Sequence, residues 1–365
     1  MSKNNDGVLI MAGGTGGHIF PGLAVADALQ GMDTPVRWLG ASGGMECTRV
    51  PSSGISLDTV DISGLRGKGL LPWITAPFKI LRAVLQAMAI LGRHRPACAI
   101  SFGGYAAGPG GLAARLRGIP LLVHEQNRVP GMTNKFLARI AKKVLQAFPG
   151  SWPPDSKITR KLVTCGNPVR KDVVELASPQ ERMGNRVGPI RILVTGGSQG
   201  ANALNRIVPQ ALALLPDNEK PLVRHQTGSR DLDETMRVYD ELGIEAKVSA
   251  FIEDIAGAYG WADLIVCRSG ALTVSEVAAA GLGSILVPFP FAVDDHQTKN
   301  AEFLVEAGAA RLMPEADLDA TSLSSELRAV IRNRQDLIDM AVSARSVAVP
   351  DSAKRVASLC LELAN

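Results

Sequence analysis

Val8-Leu9-Ile10-Met11-Ala12-Gly13-Gly14-Thr15-Gly16-Gly17-His18 is the stretch that decides the fold of this chain. Five apolar residues in a row fit a strand buried on both faces, and the glycines fit a tight turn. The apolar spacing over 19–29 then fits a helix packed back on that strand. The pattern restarts at Ile192-Leu193-Val194-Thr195-Gly196-Gly197-Ser198-Gln199-Gly200-Ala201, ahead of a helical stretch over 202–214. Around the first copy the sequence predicts strands at 36–39, 57–62, 97–102, 120–124, 144–147 and 162–165, with helices at 107–116 and 132–141. Around the second it predicts strands at 222–225, 247–251, 264–267 and 284–288, with helices at 232–242, 273–280 and 297–307. Strand–helix alternation on both sides predicts an α/β chain of two Rossmann-like, doubly wound sheets.

The expected domains are 1–166 and 167–345, joined by a linker over 166–189 that is rich in glycine, proline and polar residues. A last helix is expected within 346–365; periodicity leaves open whether it packs on its own domain or back on the first. With 365 residues, 46% of them hydrophobic, each half can bury a core of its own. The five cysteines are scattered singly, which argues against a disulfide framework or a zinc site and fits a reducing cytosol. No signal-peptide pattern opens the sequence, and no apolar run is long enough to span a bilayer. The net charge of +4 hides a split: +11 up to Cys165 and −7 from Gly166 onward. The basic half suits an anionic surface or a phosphorylated ligand.

Backbone N–H groups in the first glycine loop, together with the dipole of the helix behind it, suit an anion or a polar oxygen. A dinucleotide fingerprint fails in detail. Counted from Gly14, GxGxxG needs glycine at position 19, which is Ile19, and the second strand ends Trp38-Leu39-Gly40 with no carboxylate for a ribose. There is no GxxxxGK[ST] phosphate loop. Glycines serving only a tight turn would explain any one loop, but Gly103-Gly104-Tyr105 and Gly196–Ala201 repeat the arrangement. A fourth strand end runs Arg268-Ser269-Gly270 into a helix carrying Glu276, where a carboxylate could take ribose hydroxyls or simply cap the first turn.

GGTGGH (13–18), SGLRGKG (63–69), GGYAAGPGG (103–111), HEQN (124–127), GNPVR (166–170), GGSQGA (196–201), CRSGALTVSE (267–276) and DDHQTKNA (294–301) follow one another along nearly the whole chain. In that order they resemble the MurG-type glycosyltransferases of bacterial peptidoglycan synthesis. The resemblance implies a GT-B fold, two Rossmann-like domains facing across a cleft. It implies an inverting hexosyltransferase that moves N-acetylglucosamine from UDP-GlcNAc to the MurNAc 4-hydroxyl of lipid I, the undecaprenyl-pyrophosphoryl-MurNAc-pentapeptide, forming lipid II. No cofactor and no metal are implied; Asp294-Asp295-His296 reads as a solvated loop. The implied place is the cytoplasmic face of the bacterial inner membrane, with other cell-wall synthesis proteins as partners.

By the same resemblance, Ser198 and the turn Ala271-Leu272-Thr273 hold the donor diphosphate, Val274 and Ser275 belong to the same UDP-GlcNAc site, Ile252 flanks the uracil and Glu276 takes the ribose. Arg170 lies near the nucleotide, while Gln297, with Asn300 as a further candidate, faces the sugar together with Thr15, Gly16, Gly17 and Asn127. Gly103, Gly104 and Tyr105 belong to the acceptor side. His18 opens a helix, whose positive dipole end disfavours imidazolium and keeps the ring able to accept a proton. It is the expected base or an essential orienter. Glu125 is the rival base, or a brace for the loop carrying Asn127.

Residues 68–91 follow helical spacing through Leu71, Ile74, Phe78, Leu81, Leu85 and Met88, beside Arg66, Lys68, Lys79 and Arg82. Most of this apolar face is expected in the core, with Trp73 and its basic neighbours partly exposed towards anionic lipid. Dispersed basic residues with few aromatics speak against nucleic acid as a partner. A UDP-GlcNAc 2-epimerase shares the fold but needs no lipid acceptor, so a basic amphipathic surface would serve no purpose in it. A non-catalytic sugar-nucleotide-binding membrane scaffold would not need an intact set of site motifs with a candidate base.

Overall fold

The computed structural model describes residues 7–63, 71–197 and 200–364, with the backbone alone for 71–75 and 293. Two units are present: residues 1–170 with 349–365, and residues 171–348. In the first, β1 (Val8–Ala12), α1 (Gly16–Gln30), β2 (Val36–Ala41), α2 (Glu46–Ser52), β3 (Ser56–Val60), α3 (Leu71–His94), β4 (Cys98–Gly103), α4 (Ala107–Leu116), β5 (Leu121–Glu125), α5 (Met132–Ile140), β6 (Lys143–Gln146) and β7 (Leu162–Thr164) follow in order. All strands pair in parallel, in the order β3-β2-β1-β4-β5-β6-β7. The first strand therefore lies inside the sheet, and Val8–Ala12 is buried throughout as its unbroken apolar run requires.

Alternation along β1 splits the core. Leu9 and Met11 pack with α3, α4 and α5 through Ala83, Ala87, Ala113 and Leu137. Val8 and Ile10 pack on the other side with Ile19 and Val25 of α1 and with Val356 and Cys360 of α15 (Ser352–Ala364). The last helix thus returns to the first unit. Ser352 Oγ donates to Asn167 O at 2.9 Å, and Gly166, at φ +78°, lies against Val349 where a Cβ would collide.

The second unit contains α6 (Lys171–Val174), α7 (Pro179–Met183), β8 (Arg191–Thr195), α8 (Asn202–Ala213), β9 (Leu222–Gln226), α9 (Leu232–Glu241), β10 (Ala246–Ser249), α10 (Ile255–Trp261), β11 (Leu264–Cys267), α11 (Ala271–Ala280), β12 (Gly283–Leu286), α12 (His296–Glu306), β13 (Ala310–Leu312), α13 (Ala320–Ile331) and α14 (Arg334–Ser346). Its parallel sheet runs β10-β9-β8-β11-β12-β13. Both sheets are doubly wound, reversing direction beside β1 and β8, the strands that precede the glycine loops.

The stretch expected to be a plain linker carries α6 and α7, and it is fastened to the second unit. Arg182 donates to Ala280 O at 2.5 Å, Gly281 O at 2.7 Å and Tyr259 O at 3.2 Å. Arg186 pairs with the fully buried Asp263 at 2.5 Å and donates to Trp261 O at 2.9 Å. These guanidinium groups sit at the carbonyl ends of α10 and α11, where cations are favoured. Burial pushes the Arg182 guanidinium down to about 10.

A buried polar network ties α8, β9 and α9. Tyr239 donates its hydroxyl to His225 Nδ1 at 2.9 Å, and His225 Nε2–H donates to Asn205 Oδ1 at 3.1 Å. Burial pushes the His225 imidazole down to about 3. In the first unit burial pushes His124 down to about 4, partly opposed by its bond to Gly166 O at 3.0 Å. Both rings titrate lower when folded than when unfolded, so the unfolded chain takes up the protons. Their contribution is complete above about pH 6.5, and each should cost about 1.4 kcal/mol of stability per pH unit below it, down to its folded value. Urea titrations at pH 7.5 and 5.5 should show this loss, and His225→Gln should flatten the slope for the second unit while lowering its stability at pH 7.5.

Candidate functional site

In the first unit the glycine loop between β1 and α1 is built by close approach. Gly14 has φ +89°, and Thr15, extended at φ −126°, precedes Gly16 and Gly17 in the first turn without a side-chain cap bond. His18 is half-buried. Its Nδ1 lies 3.2 Å from Gly13 O, and since a carbonyl only accepts, Nδ1 carries the hydrogen and the neutral ring keeps its lone pair on Nε2. Gly103, at φ +105°, lies beside this ring: a Cβ there would come within 3.1 Å of His18 Nε2. A Cβ on Gly104 would strike the Gly13 backbone. The loops after β1 and β4 therefore meet backbone to backbone, with Tyr105 exposed beside them.

Glu46, to which the sequence reading gave no role, is fully buried. Its Oε1 accepts from Ala41 N at 2.8 Å and its Oε2 from Gly14 N at 3.1 Å. A Cβ on Gly13, Gly40 or Gly44 would run into this side chain. The second strand has no terminal carboxylate, and a carboxylate from α2 folds back to the glycine loop instead. Three glycines in separate segments around one later glutamate are the signal that could have found it.

Glu125 is buried with both oxygens engaged. Oε1 accepts from Asn127 N at 2.9 Å and Asn127 Nδ2 at 3.2 Å; Oε2 accepts from Gly131 N and Asn134 Nδ2, both at 3.0 Å. Four donors around one carboxylate are the geometry of a brace for the loop 126–131. Arg170 lies over the Phe20 ring, 5.1 Å from its centroid.

In the second unit, Gly197 and Gly200 have φ +86° and +78°, and a Cβ on Gly200 would collide with Thr227 O. Ser198 lies outside the described residues. Gln226, the last residue of β9, is buried and was not singled out from the sequence. Its Nε2 donates to Gly197 O at 2.9 Å, and its Oε1 accepts from Ile252 N at 3.0 Å. One amide thus joins the glycine loop to the segment holding Ile252.

Helix α11 begins after Gly270, which is extended and offers no side-chain cap. Ala271, Leu272 and Thr273 form its open first turn. Val274 is fully buried with its N–H on Gly270 O at 2.9 Å, so neither its side chain nor its amide is offered to a ligand. Ser275 spends its hydroxyl hydrogen on Ala271 O at 2.9 Å. Glu276 stands beyond the first turn, which excludes a capping role; it is buried and accepts from Tyr259 Oη at 3.1 Å. Gln297 Oε1 accepts from Phe289 N at 2.9 Å. Asn300 is buried and donates to Ser269 O at 3.3 Å. Asp294 and Asp295 are both left-handed, at φ +55° and +51°, a strained pair directly ahead of α12.

On α3 the inward residues are Ala76, Ala83, Val84, Ala87, Ile90 and Leu91. Phe78 is 75% exposed, Leu81 57% and Leu85 58%. Of the stripe residues whose side chains are described, three face outward and Met88 packs against the core. Lys79 and Arg82 are exposed beside the stripe, Arg82 donating to Asp61 Oδ2 at 2.8 Å. Arg66 and Lys68 lie outside the described residues, as do the side chains of Trp73 and Ile74. Among the described residues no His, Cys, Asp and Glu side chains gather as a metal site, and no helix is long and apolar enough to cross a membrane.

Residues 8–146 match the glycosyltransferase family 28 N-terminal domain, and residues 191–356 its C-terminal domain. A Marinobacter nauticus protein named UDP-N-acetylglucosamine--N-acetylmuramyl-(pentapeptide) pyrophosphoryl-undecaprenol N-acetylglucosamine transferase is 51% identical over 357 residues, 98% of this chain and 97% of its own. One of the same name from Xanthomonas euvesicatoria pv. vesicatoria is 52% identical, over 97% of this chain and 80% of its own. The crystal structure of Acinetobacter baumannii MurG superposes with a TM-score of 0.82 at 42% identity, over 97% of this chain and 99% of its own. The kitacinnamycin glycosyltransferase, at 16% identity and a TM-score of 0.73, shares the fold.

Replacing Gln226 by leucine should take from the Ile252 N–H its hydrogen-bond partner and leave Gly197 O with the Gly200 N–H alone, costing about 1–3 kcal/mol. Hydrogen exchange at the Ile252 amide should quicken in that variant; an amide as protected as in the wild type would show that Gln226 does not hold this segment.

Proposed function

The chain belongs to glycosyltransferase family 28, with the GT-B fold, and from that premise we propose that it transfers N-acetylglucosamine from UDP-GlcNAc to lipid I, forming lipid II. The near-full-length identity to transferases of that name carries this reading. In the second unit the open first turn of α11 and the loop after β8 offer backbone N–H groups to the diphosphate, where charge grows as UDP leaves. Glu276 takes the ribose hydroxyls, Ile252 flanks the uracil and the Nε2 of Gln297 donates to the sugar. In the first unit His18 takes the proton of the MurNAc 4-hydroxyl at Nε2. The sugar then inverts in one displacement through an oxocarbenium-like transition state, with no covalent enzyme intermediate. Glu125 holds the loop of Asn127 and is a positioning residue.

The reading is tested by UDP release with and without a soluble lipid I analogue. Release that depends on acceptor, with a disaccharide-lipid product, is the expected result; consumption of UDP-GlcNAc without acceptor would overturn it. His18→Ala should reduce turnover by about 100-fold or more while UDP binds nearly as before. Wild-type turnover in that variant would remove His18 from the chemistry.

Peripheral attachment to the anionic cytoplasmic face of the inner membrane is part of the same proposal. Between Asp61 and Asp155 thirteen lysines and arginines stand against one acid, the buried Glu125. Phe78, Leu81 and Leu85 supply apolar area beside Lys79. Lys79→Ala should lower partitioning onto anionic vesicles about fivefold, and Arg82→Ala less, since Asp61 already shares its charge. Leu81→Ser should weaken binding to neutral and anionic vesicles alike; equal losses on both from Lys79→Ala would sink the electrostatic part.

A further inference from the structure

The hydrogen bonds of Glu46 and His18 meet on one peptide group. Gly14 N, which donates to Glu46 Oε2 at 3.1 Å, and Gly13 O, which lies 3.2 Å from His18 Nδ1, are the two ends of the Gly13–Gly14 amide. In a trans peptide the N–H and C=O point in opposite directions, so the carboxylate holds one side of the plane and the imidazole the other. We propose that Glu46 is a positioning residue for His18, acting through the Gly13–Gly14 peptide. This rests on the reading of His18 as the base.

Three features support the relay. A carboxylate this buried is costly unless its oxygens are satisfied, and Glu46 accepts from two backbone N–H groups, Ala41 and Gly14, at the ends of separate strands. Gly14 at φ +89° turns the plane so that its N–H reaches Glu46, a conformation that a side chain at 14 would strain. Gly104 packs onto the backbone of Gly13 and Gly103 onto the ring, so neither the peptide nor the imidazole has room to rotate without displacing the other loop. A negative charge on the N–H polarises the amide and strengthens its carbonyl as an acceptor. The carbonyl then holds Nδ1–H firmly, which fixes the tautomer and leaves Nε2 as the basic nitrogen. A carboxylate that orients a base histidine through its distal nitrogen does the same work directly; here one amide stands between them.

Glu46→Gln keeps the shape and removes the charge, and it sets an NH2 group against one of the two N–H donors. Turnover should fall by about 10- to 100-fold. The affinity for UDP, measured by calorimetry, should stay within about twofold, because Ile252, Glu276 and the first turn of α11, proposed for the uracil, ribose and diphosphate, lie on the other unit. In a His18→Ala background the same substitution should change the residual rate little, since its route to the chemistry is gone. A Glu46→Gln variant with unchanged turnover overturns the proposal, as does one that loses the same factor with and without His18. Histidine-15N spectra of the wild-type protein give a reading that needs no variant: His18 should be the Nδ1–H tautomer, and an Nε2–H ring would overturn the relay. If His18→Ala turns over like the wild type, the base reading fails, and the relay is then judged by whether Glu46→Gln shifts the His18 nitrogen resonances.

Discussion

Backbone must approach backbone at the carboxyl edges of both sheets, and the rest of each unit is arranged around that constraint. Gly104 meets Gly13, Gly200 meets Thr227, and Gly13, Gly40 and Gly44 surround the Glu46 side chain; in each case a single Cβ would occupy the space. Parallel strands feeding helices on both faces bring helix N-termini to this edge, so the N–H groups left over there are the natural ligand donors. The opposite edge of the second unit shows the complement, with Arg182 and Arg186 gathered on the carbonyl ends of α10 and α11. Cations at one end and open N–H groups at the other are consistent uses of the same helix dipoles.

Much of this was legible in the sequence, because glycine loops after unbroken apolar runs have few other meanings. Both doubly wound sheets and all but one strand were readable that way. The exception, β13, is three residues long, with Arg311 exposed, and only its pairing with β12 makes it a strand. The helices α6 and α7 were hidden in a polar, proline-bearing stretch. What holds that stretch is a set of long-range bonds from Arg182 and Arg186 to carbonyls some seventy-five to a hundred residues away, which no local pattern announces.

The misreading of α3 has a different origin. Helical spacing of Phe78, Leu81 and Leu85 identifies a face but not which way it points. Their large side chains suggested the core, yet the buried positions of α3 are Ala83, Val84, Ala87, Ile90 and Leu91. The packed side is offset from the bulky stripe and carries both small and large residues, so size alone does not tell which face points inward. Glu276 and Glu125 show the same limit at the site. Sequence placed both near strand ends, but only the three-dimensional partners separate them. Glu125 is enclosed by three donors of its own loop and one from α5, and Glu276 stands past the first turn beside Tyr259.

The two glycine loops look alike in sequence and are held in opposite electrostatic ways. Beneath the first lies a carboxylate, Glu46, taking the Gly14 N–H that a phosphate would otherwise use. The second is held by neutral amides, Gln226 on Gly197 O and Asn205 on Thr227 O. A negative charge built into the first loop opposes a second anion at the same N–H. The amide clamps bring no charge of their own to the second loop, so an anion at the helix ends of the second unit meets no such repulsion from them. On the proposed function, two like loops serve proton transfer in one half and anion stabilisation in the other. The difference turns on a single carboxylate that reaches back from the following helix.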